Sequence, residues 1–98
     1  WAERQMGLTR LQRKPSEYLK ENAHWGFFED RIGIKLRHEI GVERIMWSTD
    51  FPHIVTRWPN SLETLDAQTT GVPDDEKRKM VADNAIRFFH LDHIVTSA

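Results

Sequence analysis

The strongest constraint on the fold lies between Asn22 and Thr49. "NAHWGFF" (Asn22 to Phe28) is short, aromatic and interrupted by Gly26, the pattern of a strand. Asp30 is placed to cap a following helix, in which Ile32, Leu36 and Ile40 recur at i, i+4 and i+8 on one stripe. Gly41 suits the left-handed position that ends such a helix. "VERIMWST" then supplies a continuous apolar run, as expected of a strand covered on both faces. Strand, helix and strand within about thirty residues make a βαβ unit, with parallel strands and a right-handed crossover. A parallel sheet needs helices over both faces or closure into a barrel, and two strands supply neither. The pattern therefore predicts an α/β piece of a larger parallel structure, with strand sides that call for further partners.

The flanking elements fit that frame. Residues 3–12 carry a partial helical spacing and are expected to be a helix end, and "RKPSEYLKEN" starts a short helix at Pro15. Further on, Asn60 is a candidate cap with Glu63 three residues later, as in a capping box, and Leu62 and Leu65 are expected on the inner side. Gly71 should end that helix. Pro73 opens the last one, with Asp74, Asp75 and Glu76 at the positive end of its dipole and Val81, Ala85, Phe88 and Phe89 as its buried stripe. "HIVTSA" is expected to be a loose tail. The first residues, "WAERQMGLTRLQ", have no capping residue ahead of them and resemble the interior of a longer sequence. The expectation is that residues 1–98 are one C-terminal segment of a single larger domain.

Composition excludes several function classes. Fourteen Lys and Arg stand against fifteen Asp and Glu, a net charge of −1, so no global basic field serves nucleic acid. The 98 residues contain no cysteine, which removes disulfides, thiolate metal sites and a cysteine nucleophile together. No apolar run approaches the roughly 20 residues needed to span a bilayer, and no signal-peptide pattern opens the chain. A soluble, cytoplasmic chain with neither nucleic acid nor membrane as partner is expected. A Gly-rich phosphate loop, a nucleophile elbow and "HExxH" are all missing.

One stretch carries chemistry. "RIMWSTDFPH" drives a buried strand straight into Asp50 and places His53 three residues on. Active sites of parallel α/β folds lie at the carboxyl ends of the strands, where Asp50 stands. A helix cap is disfavoured there because Pro52 pushes Phe51 into an extended conformation. A local Asp turn and a site carboxylate remain equally good readings of the residues alone. His53 shares the loop, and the unperturbed pKa of a histidine side chain, near neutrality, suits proton transfer or metal ligation as well as an ordinary loop position. Arg57 offers a guanidinium fork that matches two carboxylate oxygens, or is simply a surface arginine. His24 lies within the first strand and faces either the interior or the covering helices. His38 is expected to be solvated. His90 and His93 have an i, i+3 spacing that can bind metal, at an end where no cavity is implied.

"RKPSEYLKEN", "GIKLRHEIGVERIMWSTDFPH", "WPNS" and "NAIRFF", taken in this order, resemble the C-terminal segment of the amidohydrolase superfamily. The nearer likeness is to its amidohydrolase-related branch, which includes the aminocarboxymuconate-semialdehyde decarboxylase-like enzymes. The likeness runs from about Leu11 to Phe89. It implies a (β/α)8 TIM barrel of about 250 residues or more, of which this chain is similar to the last two strands and closing helices. It further implies a metal-dependent hydrolase or nonoxidative decarboxylase acting on a small-molecule substrate. Asp50 matches the strand-eight aspartate that binds the divalent metal, zinc above all, or takes the proton of the attacking water. His53 matches the histidine of the Asp-x-Pro-His loop, structural or near the substrate. The family's upstream histidines have no counterpart in this chain, so the 98 residues alone are expected to be inactive. The rival expectation is a noncatalytic, barrel-derived interaction module, and under either reading the exposed apolar seams favour a homo-oligomer.

Overall fold

The computed structural model describes residue 7 and residues 9–95. Residues 1–6 and 8, which make up most of the expected 3–12 helix end, lie outside the described residues; residues 9–12 are not helical. The first helix, α1 (Pro15–Asn22), begins at its proline, and the Glu17 side chain accepts from the Lys14 backbone N–H at 2.7 Å. Arg13 holds Glu21 through two contacts, at 2.6 and 2.9 Å. Strand β1 (Trp25–Phe27) follows, then two short helices, α2 (Arg31–Lys35) and α3 (Arg37–Ile40), and a 3₁₀ turn (Val42–Arg44) that leads into β2 (Ile45–Trp47).

The two strands pair in parallel, with Trp25 opposite Ile45, Gly26 opposite Met46 and Phe27 opposite Trp47. The backbone N–H of Ser48 continues the ladder to the Phe27 carbonyl at 2.9 Å. A βαβ unit is therefore present, and the chain is a small α/β structure. After a long loop come α4 (Ser61–Gln68), α5 (Asp74–Arg78), a π-helical turn (Lys79–Asp83) and α6 (Asn84–Phe88).

The core is one cluster of Ile34, Val42, Ile45 and Met80, with Phe27, Ile40 and Val72 packed against it. It differs from the expected stripes in three places. In the crossover, Ile34 is buried while Ile32 and Leu36 are exposed. The Asp30 side chain caps α2 by accepting from Gly33 N–H at 2.7 Å, and the backbone breaks at Leu36, so no continuous i, i+4, i+8 face forms. In α4, Leu65 is buried but Leu62 is 69 % exposed, and Asn60 makes no side-chain cap.

In the last helical segment, Met80 and Asn84 are buried, while Phe88 and Phe89 are exposed. The π turn widens the helix and shifts its phase, so the inward positions fall one residue before the expected Val81 and Ala85. Asn84 is wholly buried, and its Nδ2 donates to the carbonyls of Val42 (2.7 Å) and Ile45 (2.9 Å). Its Oδ1 accepts from Arg87 at 3.2 Å, and Arg87 also donates to the Glu43 carbonyl at 2.6 Å. The start of β2 is thus tied to the last helix through side-chain amide and guanidinium groups.

A folded monomer of this mass exposes about 5,800 Å²; this chain exposes 8006 Å². Trp25, Leu36, Phe51, Ile54, Trp58 and Leu62 contribute to that excess. Among the described residues, no helix is long and apolar enough to cross a membrane.

Candidate active site

The carboxyl ends of both strands open onto one edge of the molecule, and the β1 and β2 loops are joined there by side chains. Phe28, the first residue after β1, has a carbonyl that accepts from Trp47 Nε1 (3.2 Å) and from Gln68 Nε2 (2.9 Å). Gln68 is buried, and its Oε1 accepts from the Asp30 backbone N–H at 2.9 Å. One amide from α4 therefore holds both the end of the strand and the start of α2. Glu29 accepts from Arg57 Nε at 2.6 Å and bridges the two loops from outside. Thr56 Oγ1 donates to the Thr49 carbonyl at 2.6 Å and closes the β2 loop on itself.

Asp50 sits at the mouth of β2 with φ of 57°, in the left-handed region where aspartate is tolerated better than most side chains. The backbone turns here: His53 N–H bonds to the Asp50 carbonyl at 2.8 Å, and Thr56 N–H to the His53 carbonyl at 3.1 Å. The turn is closed by the Asp50 carbonyl, and among the described residues the carboxylate makes no bond to the loop backbone. That carboxylate is 48 % exposed, and its partner is His53, with Nδ1 at 3.5 Å from Oδ2. His53 Nδ1 also accepts from Val55 N–H at 3.4 Å. In that bond Nδ1 is the acceptor, which goes with a neutral ring carrying its proton on Nε2. Once protonated, the same Nδ1 turns from acceptor to donor toward Asp50.

Of the three residues singled out in the sequence, the structure pairs Asp50 with His53 and turns Arg57 toward Glu29. Phe51 and Trp58, 5.5 Å apart edge to face, flank the loop. His24 stacks on Phe88 with centroids 4.5 Å apart, toward the last helix. His38 is 62 % exposed and meets Glu76 at 3.1 Å. Among the described residues, no group of three or more His, Asp or Glu side chains converges as a metal site.

Sequence reasoning missed Ser61 and Gln68. Gln68 carries the architecture of the site, but a glutamine late in an amphipathic helix gives no local signal. Ser61 lines a small cleft with Phe28, Trp47, Ser48, Thr49, Arg57 and Thr64, of which Thr49 immediately precedes Asp50 in the sequence.

Residues 1–91 match the family model described as Amidohydrolase. No curated protein matches the chain.

Proposed function

The chain belongs to the amidohydrolase family, and from that premise we propose that it supplies the closing strands of a metal-dependent hydrolase or nonoxidative decarboxylase of the amidohydrolase-related branch. In this reading β1 and β2 are the last two strands of a (β/α)8 barrel, and Asp50 is the acidic group at the mouth of the final strand. The observation that carries the assignment is the state of that carboxylate. It stands at the carboxyl end of the parallel pair, on a left-handed residue, half exposed, with His53 of the same turn 3.5 Å away. Unusual backbone of this kind is concentrated where function requires it.

The described residues do not by themselves fit a catalytic metal. Asp50 and His53 provide two donor groups, whereas a catalytic zinc takes three protein ligands and a water. The further ligands would come from strands beyond this pair, and the ion would make water acidic enough to ionise near neutrality. What the chain's own residues do is accept and hold a proton. Asp50 Oδ2 takes it from a water or substrate group at the strand mouth. His53 Nδ1, 3.5 Å from Oδ2, is placed to receive that proton in turn, which would leave an imidazolium beside the regenerated Asp50 carboxylate.

The test is Asp50→Asn in the complete enzyme. General-base participation contributes about 10²–10⁴-fold to rate, so kcat/KM should fall by at least about a hundredfold. Thermal stability should barely move, because the replaced carboxylate is half exposed. Near-normal turnover would end the assignment, and so would turnover with stoichiometric metal by the 98-residue chain alone. The excess exposed apolar surface also favours a second reading, in which the chain associates with copies of itself as a noncatalytic module. Full activity of Asp50→Asn together with a stable dimer would select that reading.

A further inference from the structure

The cleft between the loops contains an orphan. Ser61 is only 9 % exposed, and its Oγ is buried with no hydrogen-bond partner. A buried hydroxyl in that state is unfavourable unless something outside the chain completes it. Ser61 is also the first residue of α4, whose Asn60 offers no side-chain cap. The first backbone N–H to bond at this helix end is that of Thr64, to the Asn60 carbonyl at 3.0 Å. The earlier amides add positive potential at the same end. Arg57 lines the cleft with Ser61 and donates to Glu29 through Nε, a bond that does not use its terminal amino groups. The cleft admits one water-sized group.

We propose that the Ser61–Arg57 cleft is a carboxylate subsite, taking one oxygen of a ligand carboxylate onto Ser61 Oγ–H at the amino end of α4 while the Arg57 fork receives the other. A planar, two-oxygen anion suits a guanidinium, and a single oxygen suits the size of the cleft. Thr64 does not compete, since its hydroxyl donates to the Asn60 carbonyl at 3.0 Å. Glu29 opposes the ligand as a rival acceptor for Arg57. The inference concerns binding by this chain and stands apart from the role given to Asp50.

The experiment is an NMR titration of the full chain with sodium acetate, against sodium chloride at equal ionic strength, following the amides of Ser61, Leu62 and Glu63. Saturable shifts are expected with acetate. Ser61→Ala should weaken acetate about tenfold, the size of one hydrogen bond to a charged group, with an unchanged or higher melting temperature because no partner is lost. Arg57→Gln, at an exposed position that leaves the core alone, should weaken it at least as much. Glu29→Gln should tighten it by releasing Arg57. Absence of a saturable shift would overturn the proposal and leave a water-filled cleft. Equal binding after Ser61→Ala, a melting temperature lowered by several degrees in that variant, or weaker binding after Glu29→Gln would also overturn it. Inorganic phosphate acting as strongly as acetate would refute the planar-carboxylate assignment. None of these readouts involves turnover, so failure here and failure of the Asp50 assignment are separately visible.

Discussion

Asn84 is the side chain on which folding depends most directly, and its replacement by alanine and by aspartate gives a graded test. Its amide donates to the Val42 and Ile45 carbonyls at 2.7 and 2.9 Å from a fully buried position. Asn84→Ala removes both donors. Each buried polar group left without a partner costs about 1–3 kcal/mol, so the pair costs about 2–6 kcal/mol. Whole domains are stable by about 5–15 kcal/mol, and this chain has a small core. Much or all of its stability should be lost.

Asn84→Asp keeps the size but turns a donor into an ionised acceptor aimed at two carbonyl oxygens. One oxygen can still meet Arg87; the other faces like partial charge without solvent. Burial and those carbonyls raise the folded-state pKa of the introduced carboxyl above its ordinary value of about 3.9. The folded state then binds a proton more readily than the unfolded one. The penalty is therefore fully present above the folded pKa and disappears as pH falls toward the unfolded value. Urea unfolding followed by far-UV circular dichroism should show Asn84→Asp less stable than Asn84→Ala at pH 7, with the gap closing or reversing near pH 4. Equal stability of Asn84→Asp and the unaltered chain at pH 7 would refute the buried-donor account.

Two other perturbations follow from the same reasoning. Gln68→Ala should destabilise by about 1–3 kcal/mol, mainly through the Asp30 N–H, since the Phe28 carbonyl keeps Trp47 as a donor; hydrogen exchange at Asp30 should accelerate while that at Ile45 follows only global unfolding. Glu43 is held below the ordinary glutamate value of 4.5, first by its own backbone N–H and then by the Lys79 ammonium. It therefore contributes stability above pH 4.5 that is lost as pH falls through its lower folded value, and Glu43→Gln should flatten that acid limb slightly.

The βαβ unit was legible because its signals are local and redundant: an aromatic strand, a capping Asp30, a positive-φ Gly41 and a continuous apolar run. Phase was not legible where the backbone departs from one period. The break at Leu36 and the π turn at Lys79–Asp83 depend on packing, so Ile34, Met80 and Asn84 took the inward places that regular spacing assigned to their neighbours. The place of Asp50 and His53 on the loop after a buried run was legible, whereas their 3.5 Å approach within that loop was not. Ser61 was not, because a serine opening a helix has the same sequence signature whether its hydroxyl caps, meets solvent or is trapped.

The division of labour between core and edge explains why the site can be probed without unfolding the chain. The apolar cluster of Ile34, Val42, Ile45 and Met80 and the Asn84 clamp gather around the start of β2. The carboxyl ends of the strands are held instead by polar side chains: Gln68 on Phe28 and Asp30, Thr56 on Thr49, and Arg57 on Glu29. Burial of apolar surface is the dominant favourable term in folding, whereas an exposed ion pair is worth about 0–1 kcal/mol. Changes to Asp50, Arg57 or Glu29 therefore touch little of the free energy that folds the chain. Changes at Asn84 or Met80 touch most of it. Polar ties also let loop side chains exchange their internal partners for a ligand at small net cost, as Arg57 would in leaving Glu29 for an incoming carboxylate. An edge built in this way binds by substitution of hydrogen bonds, and its affinity should fall with salt while the stability of the core does not.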